Sequence, residues 1–205
     1  MKIILGSGSK WRKQVMDELK VEYTVKTADI DEKAVTAGFS DRKVADPSQL
    51  TLAVANAKAD AILKKMVEED GLENEMKSNG YLLITCDQVV QYQGEIREKP
   101  VDEEECRKHL KSYISHPAIM YSAIVVTNTK TMKRFQGVDK CVQHFKPFPD
   151  DVVDYLIKEG SIMHTCGSLR IDAEEMNPYL GEREGTIDSV LGLPTKLLLQ
   201  LLVHP

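Results

Sequence analysis

Two side chains in the sequence are placed where they could do chemistry on a charged substrate. Asp87 directly follows the apolar run 81–86, which has the length of a central strand, and ligands of open α/β sheets collect beyond strand ends. Lys58 lies in an alanine-rich segment that predicts a helix packed on a sheet. Two simpler interpretations stay open: Asp87 could cap the following turn, and a helical lysine is more often solvated. Lys58 becomes a functional candidate only if an anionic group lies nearby.

The N-terminal segment has the pattern of an anion-binding loop. The apolar run 2–5 leads into the small residues 6–9 and then into Lys10, Trp11, Arg12 and Lys13. N–H groups at a helix start, together with the helix dipole, favour a phosphate. The spacing matches neither a P-loop nor a dinucleotide-binding fingerprint. Either these residues bind a polyanion, or they only close the turn between a strand and a helix.

Hydrophobic periodicity predicts the elements that must position these residues. After the first strand and helix, further strands are predicted at 23–27, 81–86, 118–127 and 141–145, and helices at 47–66, 102–114, 150–160 and near the C-terminus through 202. Residues 68–80 are predicted as a loop, 133–140 as extended or irregular chain, and 33–46 as a surface loop that could move over a cleft. We expect one folding unit, 1–205, because no linker or composition shift divides the chain.

Composition excludes several classes of protein. A net charge of −5 without a long basic patch argues against binding to a nucleic-acid polymer. We expect no membrane span, since no apolar run is long enough, and no signal peptide is recognisable. The cysteines lack CxxC spacing, which favours a reducing, cytoplasmic compartment, and the histidines lack metal-ligand spacing, so we expect them in the core or on the surface. The histidines are residues 109, 116, 144, 164 and 204.

Separated motifs along most of the chain coincide with those of one protein family. They are the segment 5–13, the pair Asp31-Glu32, the Ala-x-x-Lys-Ala segment 55–59, the strand ending in Asp87, the pair Lys99-Pro100, and the closing segments 184–185 and 190–194. In this order they resemble the Maf-like family of nucleotide pyrophosphatases, which are similar in fold to the inosine triphosphatases. The resemblance implies an α/β fold with a mixed, elongated, twisted sheet flanked by helices, and two lobes around a central cleft.

The resemblance also separates two branches of that family. Trp11 and Gln88 match the branch similar to 7-methylguanosine triphosphate pyrophosphatases, whereas the dTTP/UTP branch carries arginine and threonine there. An aromatic face or a carboxylate would attract the cationic methylated purine. The chain departs from the family at Gly6, where alanine is usual, and at Lys10, where proline is usual. The third marker of the branch is an acid shortly after 167–168, which is Asp172 or, because of an extra residue in this region, Glu174 or Glu175.

The reaction that the resemblance implies is hydrolysis between the α and β phosphates of a nucleoside triphosphate, giving the monophosphate and pyrophosphate. Asp87 would take a proton from the attacking water or hold the metal that activates it, and Glu32 with Asp87 would bind Mg²⁺ or Mn²⁺. Lys58 completes the implied catalytic set. The implied substrate-binding residues are Ser7, Ser9, Trp11, Arg12, Lys13, Gln88, Lys99 and Asp172.

The resemblance further implies a homodimer. Two alternative functions remain at this point. The chain could be a pyrophosphatase for dTTP, UTP or other altered nucleotides. It could also be a non-catalytic nucleotide-binding regulator of cell division, although a pure binder has no need of a water-activating acid.

Overall fold

Strands and helices alternate through the first half of the chain, as the sequence predicts, and strands dominate the middle. The computed structural model describes residues 1–203, so His204 lies outside the described part. Within this part, no helix is both long enough and apolar enough to cross a membrane. The elements are β1 (Lys2–Leu5), α1 (Lys10–Glu18), β2 (Tyr23–Val25), α2 (Pro47–Glu68), α3 (Glu73–Ser78), β3 (Tyr81–Tyr92), β4 (Glu95–Arg97), α4 (Glu103–Ser112), β5 (Ala118–Asn128), β6 (Arg134–Phe145), α5 (Asp150–Glu159), β7 (Leu180–Glu184), α6 (Ile187–Val190) and α7 (Thr195–Leu202).

The strands form one mixed, open sheet. Its order is β2-β1-β3-β5-β6-β7, and β4 forms a hairpin with the far end of β3. β1 is parallel to both β2 and β3, while β3, β5, β6 and β7 pair antiparallel. Helices flank the sheet, with α2 packed on β3 and β5. The predicted α/β class with a mixed sheet flanked by helices is therefore confirmed.

Strand β3 is twice as long as its apolar run predicts. It does not end at residue 86 but continues to Tyr92, because β5 pairs with it from Leu82 to Gln91. The parallel partner β1 stops earlier, at the pair Leu5–Ile84. Asp87 therefore lies within β3 but beyond the carboxyl end of β1, and the reason for placing it near a ligand site still holds.

The structure decides one open alternative and corrects one prediction. Of the two possibilities for residues 133–140, extended or irregular chain, the extended one is observed, because strand β6 runs continuously from Arg134 and pairs with β5. The ladder orders a polar stretch that has little strand preference of its own. The predicted loop 68–80 contains the short helix α3, whose Met76 packs under α2.

The hydrophobic core is divided along the length of the long strands. One part surrounds β1 and the first half of β3, between α1 and α7 on one face of the sheet and α2 on the other; we call it the β1 lobe. The other part surrounds the second half of β3 together with α4 and α5; we call it the α4 lobe. Strands β3 and β5 pass through both lobes, so they hold them in a fixed relation.

Candidate functional site

A cleft of about 1520 Å³ lies between the two lobes. Its walls include the β1–α1 loop, the start of α1, the middle of α2 and β3, and the segment 161–172. Residues of the 33–46 segment also line it, as the prediction of a loop beside a cleft requires. The predicted site residues that line this cleft are Ser7, Ser9, Trp11, Arg12, Glu32, Lys58, Asp87, Gln88, Lys99 and Asp172.

Lys58 joins two carboxylates at the centre of the cleft. Its Nζ lies 2.8 Å from Asp87 Oδ1 and 3.0 Å from Glu32 Oε1. Helix α2 comes close to the sheet here because Ala55 and Ala59, its neighbours on the packed face, are fully buried. Only 15% of the Lys58 side chain is exposed. The interpretation of Lys58 as a solvated helix residue is therefore wrong, and the anionic neighbours that it needs are present.

Burial and charge act on the two members of this centre in different ways. Burial raises the pKa of Asp87, and the positive charges of Lys58 and Arg12 only partly offset it. Burial would lower the pKa of Lys58, but the carboxylates of Asp87 and Glu32 raise it overall. Lys58 therefore stays charged, while Asp87 is a stronger base than an exposed aspartate. A carboxylate with a raised pKa suits the role of a proton acceptor.

Arg12 ties the N-terminal loop to two distant segments. Its NH1 donates to Ser7 Oγ and to the carbonyl of Cys86, each at 3.2 Å, and its Nε donates to the carbonyl of Gly192 at 2.9 Å. Ser7 Oγ also accepts a hydrogen bond from the Ser9 N–H at 3.3 Å. The Ser9 side chain caps α1, as predicted. These contacts hold the loop, with its cationic group, beside Asp87.

Gly6 is the residue that allows the loop to approach the sheet. A Cβ atom at this position would lie 2.6 Å from Thr85 Cγ2 and 2.8 Å from Ile62 Cδ1. The Gly6 N–H donates to the carbonyl of Ile84 at 2.7 Å and so extends the β1–β3 ladder into the loop. The departure from the usual alanine is explained by the bulk of the Thr85 and Ile62 side chains.

The two remaining predicted phosphate-binding lysines lie in different surroundings. Lys99 is exposed and lines the cleft. Lys13 is not among the cleft-lining residues; its carbonyl accepts a hydrogen bond from the Tyr23 hydroxyl at 3.3 Å, on the side of α1 that faces β2. The structure gives no support to Lys13 as a substrate-binding residue.

Trp11 and Asp172 meet across the mouth of the cleft. The indole Nε1 donates to Asp172 Oδ2 at 2.9 Å, and Arg170 Nε donates to Asp172 Oδ1, also at 2.9 Å. Burial alone would raise the pKa of Asp172, but these hydrogen bonds and the charge of Arg170 lower it overall. Glu174 and Glu175 do not line the cleft but a small neighbouring cavity, and Asp172 borders both. Of the three candidate acids, Asp172 is the one beside Trp11.

Gln88 faces the opposite side of the sheet from Asp87, because successive side chains of a strand alternate. Its Nε2 donates to Ser122 Oγ at 2.9 Å and to the carbonyl of Ser189 at 3.0 Å. Both side chains nevertheless line the cleft, since β1 ends before their level and leaves the flank of β3 open. The cleft thus has a side with Asp87 and Lys58 and a side with Gln88.

Two arginines at or beside the cleft have no role in the sequence prediction: Arg170 borders the cleft through Asp172, and Arg42 lines it. Arg170 pairs with Asp172 and, at 3.1 Å, with Glu159. Arg42 donates to the Glu98 carboxylate and to the carbonyls of Glu32 and Val35, so it fastens the 33–46 loop to the end of β4. The spacing Arg-x-Asp at 170–172 is a signal for the first. Nothing local in the sequence distinguishes Arg42, whose partner Glu98 lies far along the chain.

The donor set at the centre fits a hard divalent cation. Glu32 and Asp87 offer carboxylate oxygens that already converge on one cationic group. Within residues 1–203, no group of three or more His, Cys, Asp or Glu residues forms a complete metal cage. Two carboxylates suffice for Mg²⁺ or Mn²⁺ on a phosphate substrate, because such ions keep several waters and take further oxygens from the phosphates.

This arrangement defines a class of α/β protein: an open mixed sheet whose interlobe cleft combines cationic groups with a buried carboxylate and so suits a phosphate-bearing ligand. The chain belongs to the Maf family, since the family model described as Maf-like protein matches residues 2–204. It is 40% identical over 200 residues, 98% of this chain and 95% of the relative, to a 7-methyl-GTP pyrophosphatase of Dictyostelium discoideum.

Two more distant relatives carry related names. A 7-methyl-GTP pyrophosphatase of Idiomarina loihiensis is 27% identical over 200 residues, which are 98% of this chain and 92% of that protein. A nucleoside triphosphate pyrophosphatase of Streptomyces coelicolor is 26% identical over 201 residues, which are 98% of this chain and 89% of that protein. The resemblance read from the motifs is confirmed across the chain.

Proposed function

We propose that this chain is a nucleoside triphosphate pyrophosphatase that acts on 7-methyl-GTP, releasing the nucleoside monophosphate and pyrophosphate. The observation that carries the proposal is the buried Asp87, bridged by Lys58 to Glu32 beside the basic N-terminal loop. The names of the two relatives that act on 7-methyl-GTP support the choice of substrate. Trp11 and Gln88, the residues typical of that branch, support it as well.

In the proposed reaction a water molecule is the nucleophile and Asp87 is its base. Lys58 occupies Asp87 Oδ1, and Oδ2 accepts no hydrogen bond from residues 1–203, so Oδ2 is the atom that receives the proton. The water oxygen bonds to one of the two phosphorus atoms of the α–β bridge, and the bond from that phosphorus to the bridging oxygen breaks. Arg12, Lys58 and Lys99 stabilise the charge that moves to the departing phosphate.

We propose that Glu32 and Asp87 hold a divalent metal ion, Mg²⁺ or Mn²⁺. Asp87 would share the ion through Oδ1, the oxygen that Lys58 contacts, so that Oδ2 would stay available for the proton. When bound, the ion would polarise the phosphate oxygens and lower the pKa of a bound water. Glu32 suits this role because its side chain is 48% exposed and can turn from Lys58 toward the substrate. Activity that persists unchanged in excess EDTA would contradict this assignment.

The nucleobase of the substrate would lie on the Gln88 side of the cleft, which we call the base side. Trp11 and Asp172 lie at the mouth of the cleft. Asp172 stays ionised because of its lowered pKa, so it can accept hydrogen bonds from the purine edge and attract a positively charged ring. The Lys10 ammonium now lies 4.6 Å from the centroid of the Trp11 ring, on the surface where a cationic base would stack. A stacked base would therefore have to displace Lys10.

We also propose a cytoplasmic homodimer in which residues 1–205 form one domain. The four cysteines are all free and three are buried, which is typical of proteins from a reducing compartment. The homodimer follows from the family resemblance alone. Light scattering on the purified chain would test the homodimer, and a monomer at micromolar concentration would contradict it.

The experiment that tests the function is pyrophosphate release with Mg²⁺ or Mn²⁺ from 7-methyl-GTP, dTTP, UTP, inosine triphosphate and the common nucleotides. We expect preferential hydrolysis of 7-methyl-GTP. A preference for dTTP or UTP would support the pyrophosphatase activity but contradict 7-methyl-GTP as the substrate. No release from any nucleotide, combined with nucleotide-induced thermal stabilisation, would instead indicate a binding protein.

A further inference from the structure

The segment that carries Asp172 begins at an unusual turn. Gly167 and Ser168 both have left-handed backbone, with φ of 61° and 56°. A Cβ atom on Gly167 would lie 2.7 Å from both the Tyr113 hydroxyl oxygen and Val90 Cβ, so only glycine fits there. Ser168 has a side chain and is fully buried. Because L residues rarely adopt this backbone, contacts from the surroundings must hold Ser168 in place.

Hydrogen bonds from several sides hold the turn, including one from the Ser168 N–H to the carbonyl of Thr165 at 3.2 Å. The Gly167 N–H donates to the carbonyl of Glu98, and the Tyr113 hydroxyl donates to the carbonyl of Gly167, each at 2.8 Å. A further hydrogen bond joins His109 Nδ1 to Ser168 Oγ at 3.1 Å. It holds the side chain of the residue that has the left-handed backbone. His109 was expected in the core or on the surface, and its ring is buried on α4 with only 6% of the residue exposed.

The protonation state of His109 suits this bond. Burial and the nearby charge of Arg97 lower the pKa of His109 to about 4. Near neutral pH its ring is therefore uncharged, with one donor and one acceptor nitrogen. The ring can exchange one hydrogen bond with the Ser168 hydroxyl without placing a charge in the core of the α4 lobe.

The turn has contacts to the substrate cleft on both sides. On its N-terminal side, the Cys166 thiol donates to the carbonyl of Gln88 at 3.1 Å. On its C-terminal side, three residues separate the turn from Asp172, which accepts a hydrogen bond from the Trp11 indole. Cys166 before the turn and Asp172 after it thus both form hydrogen bonds with residues on the base side of the cleft. A change of backbone angle at Ser168 would displace Asp172 from Trp11.

We propose that His109 is a positioning residue for the base side of the cleft. Its hydrogen bond to Ser168 keeps the 167–168 turn left-handed and thereby keeps Asp172 against Trp11. His109 touches no reacting atom in this role. The effect on nucleotide selectivity rests on the proposed function, whereas the effect on the Trp11–Asp172 contact does not.

The Trp11–Asp172 contact can be followed by tryptophan fluorescence, because Trp11 is the single tryptophan of the chain. We expect His109→Leu to change the fluorescence emission of Trp11 in the same direction as Asp172→Ala, which removes the acceptor. His109→Asn should restore the wild-type emission, since its amide can replace Nδ1. An unchanged emission in His109→Leu would overturn the proposal whether or not the protein is an enzyme.

Controls separate positioning from general loosening of the core. Leu110→Val alters the next residue of α4, which is buried in the same lobe and makes no polar contact with the turn. It should lower the melting temperature without changing the emission. Ser168→Ala should reproduce His109→Leu, and the double variant should be no worse than either single one, because both remove the same bond. Additive effects would mean that the two residues act separately.

Kinetics give the second readout. We expect His109→Leu to raise the KM for 7-methyl-GTP by about tenfold, the factor expected for one lost buried hydrogen bond, with little change in kcat. His109→Asn should recover most of it. A fall in kcat with KM unchanged would contradict a positioning role on the base side. If no nucleotide is hydrolysed at all, the proposed function fails, while the fluorescence result still decides the positioning role.

Discussion

At the scale of single residues, Asp87 is the group on which the proposed chemistry depends most directly. We expect Asp87→Asn to reduce kcat by at least about 100-fold, because an amide cannot accept the proton. The amide can still accept a hydrogen bond from Lys58, so the circular dichroism spectrum and cooperative melting should be retained. Pyrophosphate release measured on the folded variant is the test, and near-normal turnover would remove Asp87 as the base.

The raised pKa of Asp87 predicts a pH dependence. The base works only when ionised, so activity should fall as the pH drops through a pKa above the ordinary 3.8. Lys58→Met should move this acid limb upward by about one unit or more, since the variant lacks the charge that favours the ionised carboxylate. Measuring kcat/KM as a function of pH for the wild type and for Lys58→Met tests this prediction. An acid limb that stays in place would mean that another group controls the profile.

The markers Trp11 and Gln88 predict a change of base preference. We expect Trp11→Arg combined with Gln88→Thr to lower the ratio of kcat/KM for 7-methyl-GTP over dTTP by about tenfold or more, because polar contacts positioned for the purine are lost. Lys13→Ala is the matched control, as Lys13 does not line the cleft. The same ratio in the double variant and the wild type would show that these residues do not determine the base.

Residues of the site differ in how far the sequence reveals them. Asp87 follows an apolar run, so its place beside a ligand site could be predicted from local pattern. The role of Lys58 could not be predicted from local pattern, because it depends on contacts with Asp87 and Glu32, which only the fold brings close to Lys58. His109 carries no local sign at all, since its partner Ser168 is distant in the sequence.

At the scale of elements, the β1–α1 loop depends on how closely it approaches β3 and α2. We expect Gly6→Ala to destabilise the fold by about 1–3 kcal/mol, the usual cost of overpacking, because the added methyl group would meet Thr85 and Ile62. Adding Thr85→Ser should recover part of the loss. The serine lacks the methyl group but keeps the hydroxyl that donates to the Ala55 carbonyl at 2.8 Å.

Urea unfolding of Gly6→Ala, of Thr85→Ser and of the double variant measures this coupling. Thr85→Ser alone serves as the control, and it should be mildly destabilising. Equal stability of Gly6→Ala and the wild type would mean that the loop moves away from the sheet without cost. The family's usual alanine would then need no compensating change here.

The existence of most elements could be predicted, and their extent could not. The run 81–86 predicts the apolar half of β3, but the half-buried end of the strand is ordered by its partners β4 and β5. β6 is a stronger case, since its polar residues form a strand only because β5 lies alongside. Pairing with a distant strand is not encoded in local periodicity.

At the scale of the whole molecule, a ligand in the cleft would bridge the two lobes. We expect a nucleotide with a non-hydrolysable α–β bridge to stabilise the protein by about 2.7 kcal/mol at one hundred times its Kd. Asp87→Asn should show a similar shift, because it should still bind. Thermal melting with and without the analogue measures it, and the absence of a shift in both proteins would contradict binding between the lobes.

The overall architecture was predictable for a different reason from the elements. Motifs at 5–13, 31–32, 55–59, 87 and 184–194 are individually short, but their joint order restricts the fold to one family, and that family spans residues 2–204. Single segments of the sequence predict only an α/β class. They do not predict the antiparallel half of the sheet, because the hydrophobic pattern of a strand does not specify which strand pairs with it.

The alternation of side chains along β3 has one more consequence. Asp87 and Gln88 are neighbours in the chain, yet the plane of the sheet stands between their side chains. Mutations that reshape the Gln88 side, with Ser122 and Ser189 behind it, need not disturb the pair formed by Asp87 and Lys58. A protein built in this way can acquire a new base preference through substitutions on one face while the hydrolytic machinery on the other face is inherited unchanged.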